Sequence, residues 1–320
     1  MDRAEVSVSR TGVWLTVASG LAFASSGPLA KSVLAADWSP GAVLAVRLTG
    51  AAAIMLVLAG IAEPDGLRGS VRHLRTIGAY GVIAVAGVQA TFFLSLEYLQ
   101  VGVSLMIQFL APIVVIGWDW AVRGRRPSNA TLLGAVVALV GAALVIDVFG
   151  AGGLSLPGLG WAALSMLCNA AFFLLSARTS DSLRPVVLLG AGLTAAALTS
   201  WTLGALTVLP IHFGGATANM AERHLPVWLA LTLLILLSTV VAYLCSVAGA
   251  ARIGATLMSL ILLSEVLFAV ALSWLLLGEA VAPIQALGAL LVIGGIALAR
   301  YGADQRAARR EEPAPSRARN

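Results

Sequence analysis

An acidic residue, Glu265, lies at the centre of a long apolar run and could carry chemistry there. It is eleven residues from either end of the run 254–276. If the run crosses a bilayer, a charge at that depth costs about 2.5–3.5 kcal/mol on insertion scales. We therefore expect the carboxyl either to take up and release protons or to be a hydrogen-bonded structural group.

A permanent charge, Arg47, is the seventh residue of another apolar run, 41–61. Arginine stays protonated, so a buried guanidinium needs a carboxylate partner or an anionic ligand. Three interpretations stay open: an ion pair with Glu97 or Asp147, binding of a substrate carboxylate, or extension of the side chain to the outer surface. Lys31, about four residues from the end of the first run, is expected to reach the surface in this last way.

Amides and aromatic side chains also occur deep in apolar runs. Polar side chains at such depth either join neighbouring helices or line a cavity. The candidate lining residues are the amides Gln89, Gln108 and Asn169 and the aromatic residues Trp14, Phe23, Phe92, Phe93, Phe172 and Tyr243. From the sequence alone, each aromatic residue could equally face the protein core or lipid.

These residues sit in a chain that is too apolar for a water-soluble protein. Hydrophobic residues make up 59% of the 320 residues and charged residues 11%, with a mean hydropathy of +0.95, whereas soluble domains carry about 25% charged residues. A spanning helix needs about 20 mostly apolar residues. Ten runs are predicted to span a membrane: 13–35, 41–61, 76–97, 101–122, 130–148, 158–177, 185–209, 226–249, 254–276 and 282–300.

The arginines follow this arrangement. Of 19 arginines, 17 lie in alternate loops or the two terminal segments, one lies in an opposite loop, and Arg47 lies within a run. This bias predicts that both termini are cytoplasmic. It also argues against a nucleic-acid-binding patch, because the basic residues are scattered over six segments.

The chain repeats at a spacing of 154 residues. Trp and Gly residues match in one register: Trp120/Trp274, Gly124/Gly278, Gly134/Gly288 and Gly141/Gly295. Each repeat, 13–148 and 158–300, then holds five spans. Because five is odd, the second repeat is predicted to be inverted, as in many secondary transporters. We expect the glycines to pack the two repeats together, and the basic tail 301–320 to be disordered.

Several motifs together resemble a known family over about residues 13–300. They are Ser39-Pro40 with Arg47, Tyr98 with Phe109-Leu110-Ala111-Pro112, Arg252-Ile253-Gly254-Ala255-Thr256, Leu263-Ser264-Glu265, Leu275-Leu276-Leu277-Gly278-Glu279, Gln285 with Gly288, and Ile293-Gly294-Gly295. This set resembles the EamA branch of the drug/metabolite transporter superfamily. The family often has Glu-Pro in the ninth span, whereas Glu265 is followed by Val266, so a proline kink is not expected there.

The fold prediction is an all-α polytopic membrane protein with ten helices in two inverted repeats. The resemblance and the intramembrane charges predict a secondary transporter that exports small metabolites such as amino acids by alternating access, with proton coupling through Glu265. Drug efflux and uncoupled exchange remain alternatives. A membrane-embedded enzyme is the competing class, but the sequence has no His-Glu-x-x-His, Gly-x-Ser-x-Gly or Walker A motif.

The expected partners are a small-molecule substrate, lipid and protons. No cofactor, metal or nucleic acid is predicted. The expected location is the bacterial cytoplasmic membrane.

Overall fold

The computed structural model describes residues 9–99, 101–124, 126–146, 155–178, 184–220, 223–277 and 283–311. In these ranges the chain is almost entirely helical, with one two-stranded hairpin.

The first half of the chain contains nine α-helices among the described residues. They are α1 (Arg10–Ala24), α2 (Ser26–Leu34), α3 (Pro40–Ala62), α4 (Pro64–Gly69), α5 (Leu74–Gly78), α6 (Val88–Leu96), α7 (Val101–Gln108), α8 (Ala111–Arg123) and α9 (Asn129–Ile146). A 3-10 turn (Ser70–His73) follows α4, and a π-helical segment (Ala79–Gly87) joins α5 to α6.

The second half contains six α-helices and the hairpin in its described part. They are α10 (Leu156–Arg178), α11 (Pro185–Ala205), β1 (Thr217–Met220), β2 (Arg223–Pro226), α12 (Val227–Ile235), α13 (Ala242–Ile261), α14 (Ser264–Leu277) and α15 (Pro283–Glu311). A π-helical segment (Leu236–Val241) joins α12 to α13. The strands are antiparallel, with Thr217 opposite Pro226.

By length and composition, six helical stretches of the described chain can cross a membrane. They are Arg10–Leu34, Pro40–Ala62, Pro64–Leu96, Leu156–Ala177, Pro185–Ala205 and Val227–Ile261. Three shorter apolar helices cover Ala111–Val122, Asn129–Leu144 and Ala286–Ala299. The protein is therefore a helical membrane protein, while the number ten stays a prediction.

Helix α15 extends beyond the predicted tenth span. It continues to Glu311, so the first eleven residues of the predicted disordered tail are helical. The physical reason is composition, since Ala, Gln, Arg and Glu dominate this segment and favour helix.

Three predicted spans are interrupted near mid-depth. The first breaks at Ser25, the fourth at Phe109–Leu110 and the ninth at Leu262–Leu263. The first two breaks each lie two or three residues before a proline, as expected from the lost helical hydrogen bond. The ninth span breaks without a proline.

Tightened turns explain the break in the ninth span. Leu263 N–H donates to Leu260 O at 3.2 Å, and Glu265 N–H donates to Leu262 O at 3.0 Å. Both bonds join residues three apart instead of four, which ends the regular α-helical pattern. The break therefore does not depend on the proline that often follows this glutamate in the family.

The irregular segments recur at the repeat spacing. The two π-helical segments end at Gly87 and Val241, which are 154 residues apart, and the breaks end at Leu110 and Leu263, which are 153 apart. This agreement supports a two-repeat architecture. The repeat boundaries and the inverted orientation stay predictions.

Glycines bring α9 and α15 into close contact, so helices from the two halves pack as predicted. A Cβ on Gly141 would lie 2.6 Å from Gly288 O, and a Cβ on Gly295 would lie 2.6 Å from Gly134 O. Such distances leave no room for a side chain. Close backbone approach at small residues is a common way for membrane helices to associate.

We expect Gly295→Ala to lower stability by about 1–3 kcal/mol, the usual effect of overpacking. The measurement is the fraction of purified protein that stays monodisperse after heating. Gly294→Ala on the same helix is the control, because its Cβ meets nothing within 4 Å. Equal heat sensitivity of the two variants would contradict the packing described for α9 and α15.

Two pairs of loops contact each other, and the ten-span arrangement places the members of each pair on the same side of the membrane. On the predicted outer side, Ser39 N–H donates to His212 O at 3.0 Å. On the predicted inner side, Arg184 forms an ion pair with Glu63. These contacts support the predicted alternation of loops, while the cytoplasmic orientation of the termini stays a prediction.

A cysteine at Asp65 or Gly66, in a variant lacking Cys168 and Cys245, is expected to react with an impermeant thiol reagent in inside-out vesicles but not in intact cells. Asp65 is well suited because its side chain is 95% exposed. Labelling of either cysteine in intact cells would contradict the predicted topology.

Candidate functional site

Arg47 is buried on α3, and neutral groups hold its guanidinium. Nε donates to Thr239 Oγ1 at 2.6 Å and Nη2 donates to Ser238 O at 2.9 Å. Nη1 donates to Ser26 Oγ at 3.0 Å and to Gln89 Oε1 at 3.3 Å. These four bonds use most of the five N–H groups of the side chain, and none of them neutralises its charge.

The partners of Arg47 lie where the helices are irregular. Ser26 is the first residue of α2, directly after the break in the first span. Ser238 and Thr239 belong to the π-helical segment before α13, and Gln89 follows the other π-helical segment. Because a π-helical turn departs from the regular backbone pattern, the Ser238 carbonyl can accept a bond from a side chain. The site therefore depends on the broken and widened helices.

Four aromatic rings, Phe23, Tyr80, Phe172 and Tyr243, pack beside this network and are called the aromatic wall below. Tyr243 meets Phe23 edge-to-face with ring centres 5.1 Å apart, and meets Phe172 in the same manner at 5.5 Å. Tyr80 lies 6.2 Å from Phe172. Tyr243 also interacts with Gln89 and with the charge of Arg47, so the wall and the polar network are continuous.

Glu265 lies in the first turn of α14, directly after the break in the ninth span, and is half-buried. A helix N-terminus favours a negative charge. Glu265 interacts electrostatically with Arg47 and with Tyr243. The acidic and the basic side chain are therefore near enough for their charges to interact.

The predicted ion pair of Arg47 with Glu97 is wrong. Glu97 is exposed at the end of α6, and in the described chain the guanidinium reaches no carboxylate within 4.0 Å. The side chain extends inward across the helices instead of outward along α3. Asp147, the other predicted partner, lies outside the described residues.

Other candidates are not among the hydrogen-bond partners of Arg47. Gln108 ends α7 at the break in the fourth span, and its buried Oε1 has no partner in the described chain. Asn169 on α10 and Phe92 on α6 are half-buried. Trp14 is 71% exposed on α1, so it does not line the enclosed network, and its predicted role there is not supported. Lys31 is exposed, as expected for a side chain that reaches the surface.

Three residues of the network were missed by sequence analysis: Ser26, Ser238 and Thr239. Small hydroxyl residues are frequent in membrane helices and usually bond to the preceding turn, so their type alone carried no signal. The Ser25-Ser26-Gly27-Pro28 sequence was the one feature that marked the position of the break.

Comparison with known proteins identifies the family. The model of the EamA-like transporter family matches residues 10–147 and again residues 156–301. The chain belongs to the EamA-like transporter family. The transporter is also 25% identical, over 230 residues, to the uncharacterized inner membrane transporter YicL of Salmonella typhimurium, covering 71% of this chain and 73% of that one.

The two matches of the family model, one in each half, agree with the two-repeat fold. A crystal structure of another protein, 20% identical, has the same fold with a TM-score of 0.74, covering 94% of the transporter and 99% of that chain. The transporter is thus a drug/metabolite transporter of the membrane, as the sequence motifs predicted.

Proposed function

We propose that the protein exports small metabolites that carry a carboxylate, such as amino acids, by alternating access and in exchange for protons. The observation that carries this proposal is the environment of Arg47, which is buried and bonded only to neutral groups among the described residues. A buried guanidinium that no carboxylate contacts directly is unfavourable. A substrate carboxylate would supply a direct ion pair through the guanidinium fork.

The bonds of Arg47 suggest how binding is linked to movement. Ser26 and Gln89 belong to the first half of the chain, and Ser238 and Thr239 belong to the second. A carboxylate that takes over guanidinium N–H groups would release bonds between the halves. Substrate binding would then favour the rocking motion on which alternating access depends.

Glu265 could couple substrate export to proton uptake. An amino acid bound to Arg47 would place its ammonium group toward an ionised Glu265, since the two side chains interact. A protonated Glu265 has no charge to offer that ammonium group. The proton and the substrate would therefore bind alternately, which is the requirement for exchange of one for the other.

Metabolite comparison tests the proposal. Culture media of cells that overproduce the protein should be enriched in one or a few amino acids or related carboxylates, and media of a deletion strain should be depleted of the same compounds. An Arg47→Lys variant produced at the same level is the control, and its medium should match the deletion strain.

The aromatic wall also suits an apolar drug, which is the alternative substrate class. If the protein exports drugs instead, the extracellular carboxylates should not change. Overproducing cells should then tolerate higher concentrations of lipophilic cations. That outcome would overturn the proposed substrate class while leaving the transporter assignment intact.

A further inference from the structure

A basic, amphipathic segment, Pro64–Gly78, connects the second and third predicted spans and is called the surface segment below. It consists of α4, the 3-10 turn and α5. It follows α3 after a single residue, and its last residues begin the predicted span 76–97. Because both of its ends join helices that enter the membrane, the surface segment has to lie close to the membrane surface.

One side of the surface segment packs against the protein. Ser70 and Ile77 are buried. A Cβ on Gly66 would lie 3.2 Å from Val187 Cγ2, near the start of α11. These contacts hold the segment beside α11, so its remaining sides keep a defined direction.

A second side of the surface segment is apolar and yet exposed. Val71 and Leu74 are three residues apart, which makes them neighbours on a helical surface, and they are 65% and 62% exposed. Ile61, close to the end of the preceding helix α3, is 78% exposed. Transfer of such side chains from water into the acyl region of a bilayer is favourable.

The third side of the surface segment carries three exposed arginines, Arg68, Arg72 and Arg75. Their spacings of four and three residues place them on one side of a helical segment. Arg68 lies 3.7 Å from Asp65 in an exposed ion pair, and such pairs contribute little. Arg72 and Arg75 have no carboxylate within 4.0 Å in the part of the chain that the structure describes. The segment therefore has an excess of positive charge next to an exposed apolar side.

We propose that the surface segment is a binding site for anionic phospholipids. Val71 and Leu74 enter the acyl region of the bilayer, and the guanidinium groups of Arg72 and Arg75 pair with headgroup phosphates. A guanidinium binds phosphate oxygens through two N–H groups at once, and each arginine near an anionic membrane surface adds to the attraction.

The apolar side of the surface segment favours a lipid over a soluble anion as the ligand. A soluble phosphate that bound the arginines would leave Val71 and Leu74 exposed to water, whereas a phospholipid contacts both sides with one molecule. Interfacial helices that bind anionic membranes combine the same two features, a basic side and an apolar side.

Quenching by labelled lipids tests this site. A fluorophore is attached to Val71→Cys in a variant with Cys168→Ala and Cys245→Ala. The protein is placed in phosphatidylcholine nanodiscs that contain increasing fractions of a phospholipid with a nitroxide on its acyl chain. This quencher is either phosphatidylglycerol, which is anionic, or phosphatidylethanolamine, which is zwitterionic. Half-maximal quenching should need about tenfold less phosphatidylglycerol, and a high salt concentration should reduce this difference.

Two double variants separate the arginines of the surface segment from positive charge in general. Arg72→Gln combined with Arg75→Gln should remove the preference for phosphatidylglycerol. Arg126→Gln combined with Arg252→Gln is the matched control, because it removes the same charge from exposed residues on the same predicted side of the membrane. This control should keep the preference.

Leu74→Cys provides a second position for the fluorophore if Val71→Cys does not fold. Equal quenching by the two lipids, no quenching by either lipid, or an equal loss of preference in the two double variants would overturn the proposal. Loss of the preference on addition of millimolar inorganic phosphate at constant ionic strength would also overturn it, because the arginines would then bind a soluble anion. The measurement uses no substrate, so its failure and failure of the proposed function are distinguishable.

Discussion

Replacement of Arg47 by lysine is expected to reduce substrate transport by about 100-fold, because lysine cannot form the planar fork that a carboxylate requires. The arginine donates four bonds to side chains and backbone of both halves. Lysine keeps the charge but cannot reach Thr239, Ser26 and Ser238 in the same geometry. The measurement is the initial rate of amino-acid uptake into inside-out vesicles at matched protein levels.

The control for Arg47→Lys is Lys31→Gln, which removes a basic residue near the outer end of the first predicted span. Lys31 is exposed, so this variant should transport at the wild-type rate. Transport by Arg47→Lys at more than half the wild-type rate would show that the guanidinium is only a structural link between helices.

Glu265→Gln is expected to abolish accumulation of substrate against its gradient while exchange of substrate for substrate continues. One charge that crosses the membrane is worth about 2.3 kcal/mol per 100 mV, and a carboxyl that loads and unloads a proton can use that energy. Glutamine has a similar shape and cannot carry the proton. Its amide oxygen still accepts a hydrogen bond, so the binding site survives with a raised KM.

Proteoliposomes with an imposed pH gradient measure both activities. Glu97→Gln is the control, because Glu97 is an exposed carboxylate at the end of α6 and should leave accumulation unchanged. Normal accumulation by Glu265→Gln would make this glutamate a structural carboxyl and would remove the proposed coupling step.

Sequence analysis found the charged members of the site because charge contrasts with an apolar run. Arg47 and Glu265 could be singled out for this reason, and Gln89 and Tyr243 were also recovered as candidates. The hydroxyl partners of Arg47 could not be found from charge contrast, because serine and threonine are uncharged. One open interpretation paired Arg47 with Glu97 or Asp147 at the outer ends of other spans, whereas the guanidinium bonds to Thr239 on another helix.

The irregular backbone was only partly predictable. Pro28 and Pro112 mark two breaks because proline removes a helical hydrogen bond. No proline marks the break before Glu265, and the hydropathy of the sequence does not change at either π-helical segment.

The exposure of Trp14 was also not predictable. These helices carry apolar residues on all faces, so the periodicity of the sequence does not distinguish lipid-facing residues from core residues.

Discrimination between amino acids and their amides tests the recognition of a substrate carboxylate by Arg47. Proteoliposomes loaded with a mixture of amino acids should take up radiolabelled amino acids by exchange. Free amino acids added outside should inhibit this uptake, whereas the corresponding amides, which lack the carboxylate, should not. The Glu265→Gln variant should keep the same discrimination. Equal inhibition by amino acids and amides, or no exchange of any amino acid by the wild-type protein, would show that Arg47 does not bind a substrate carboxylate.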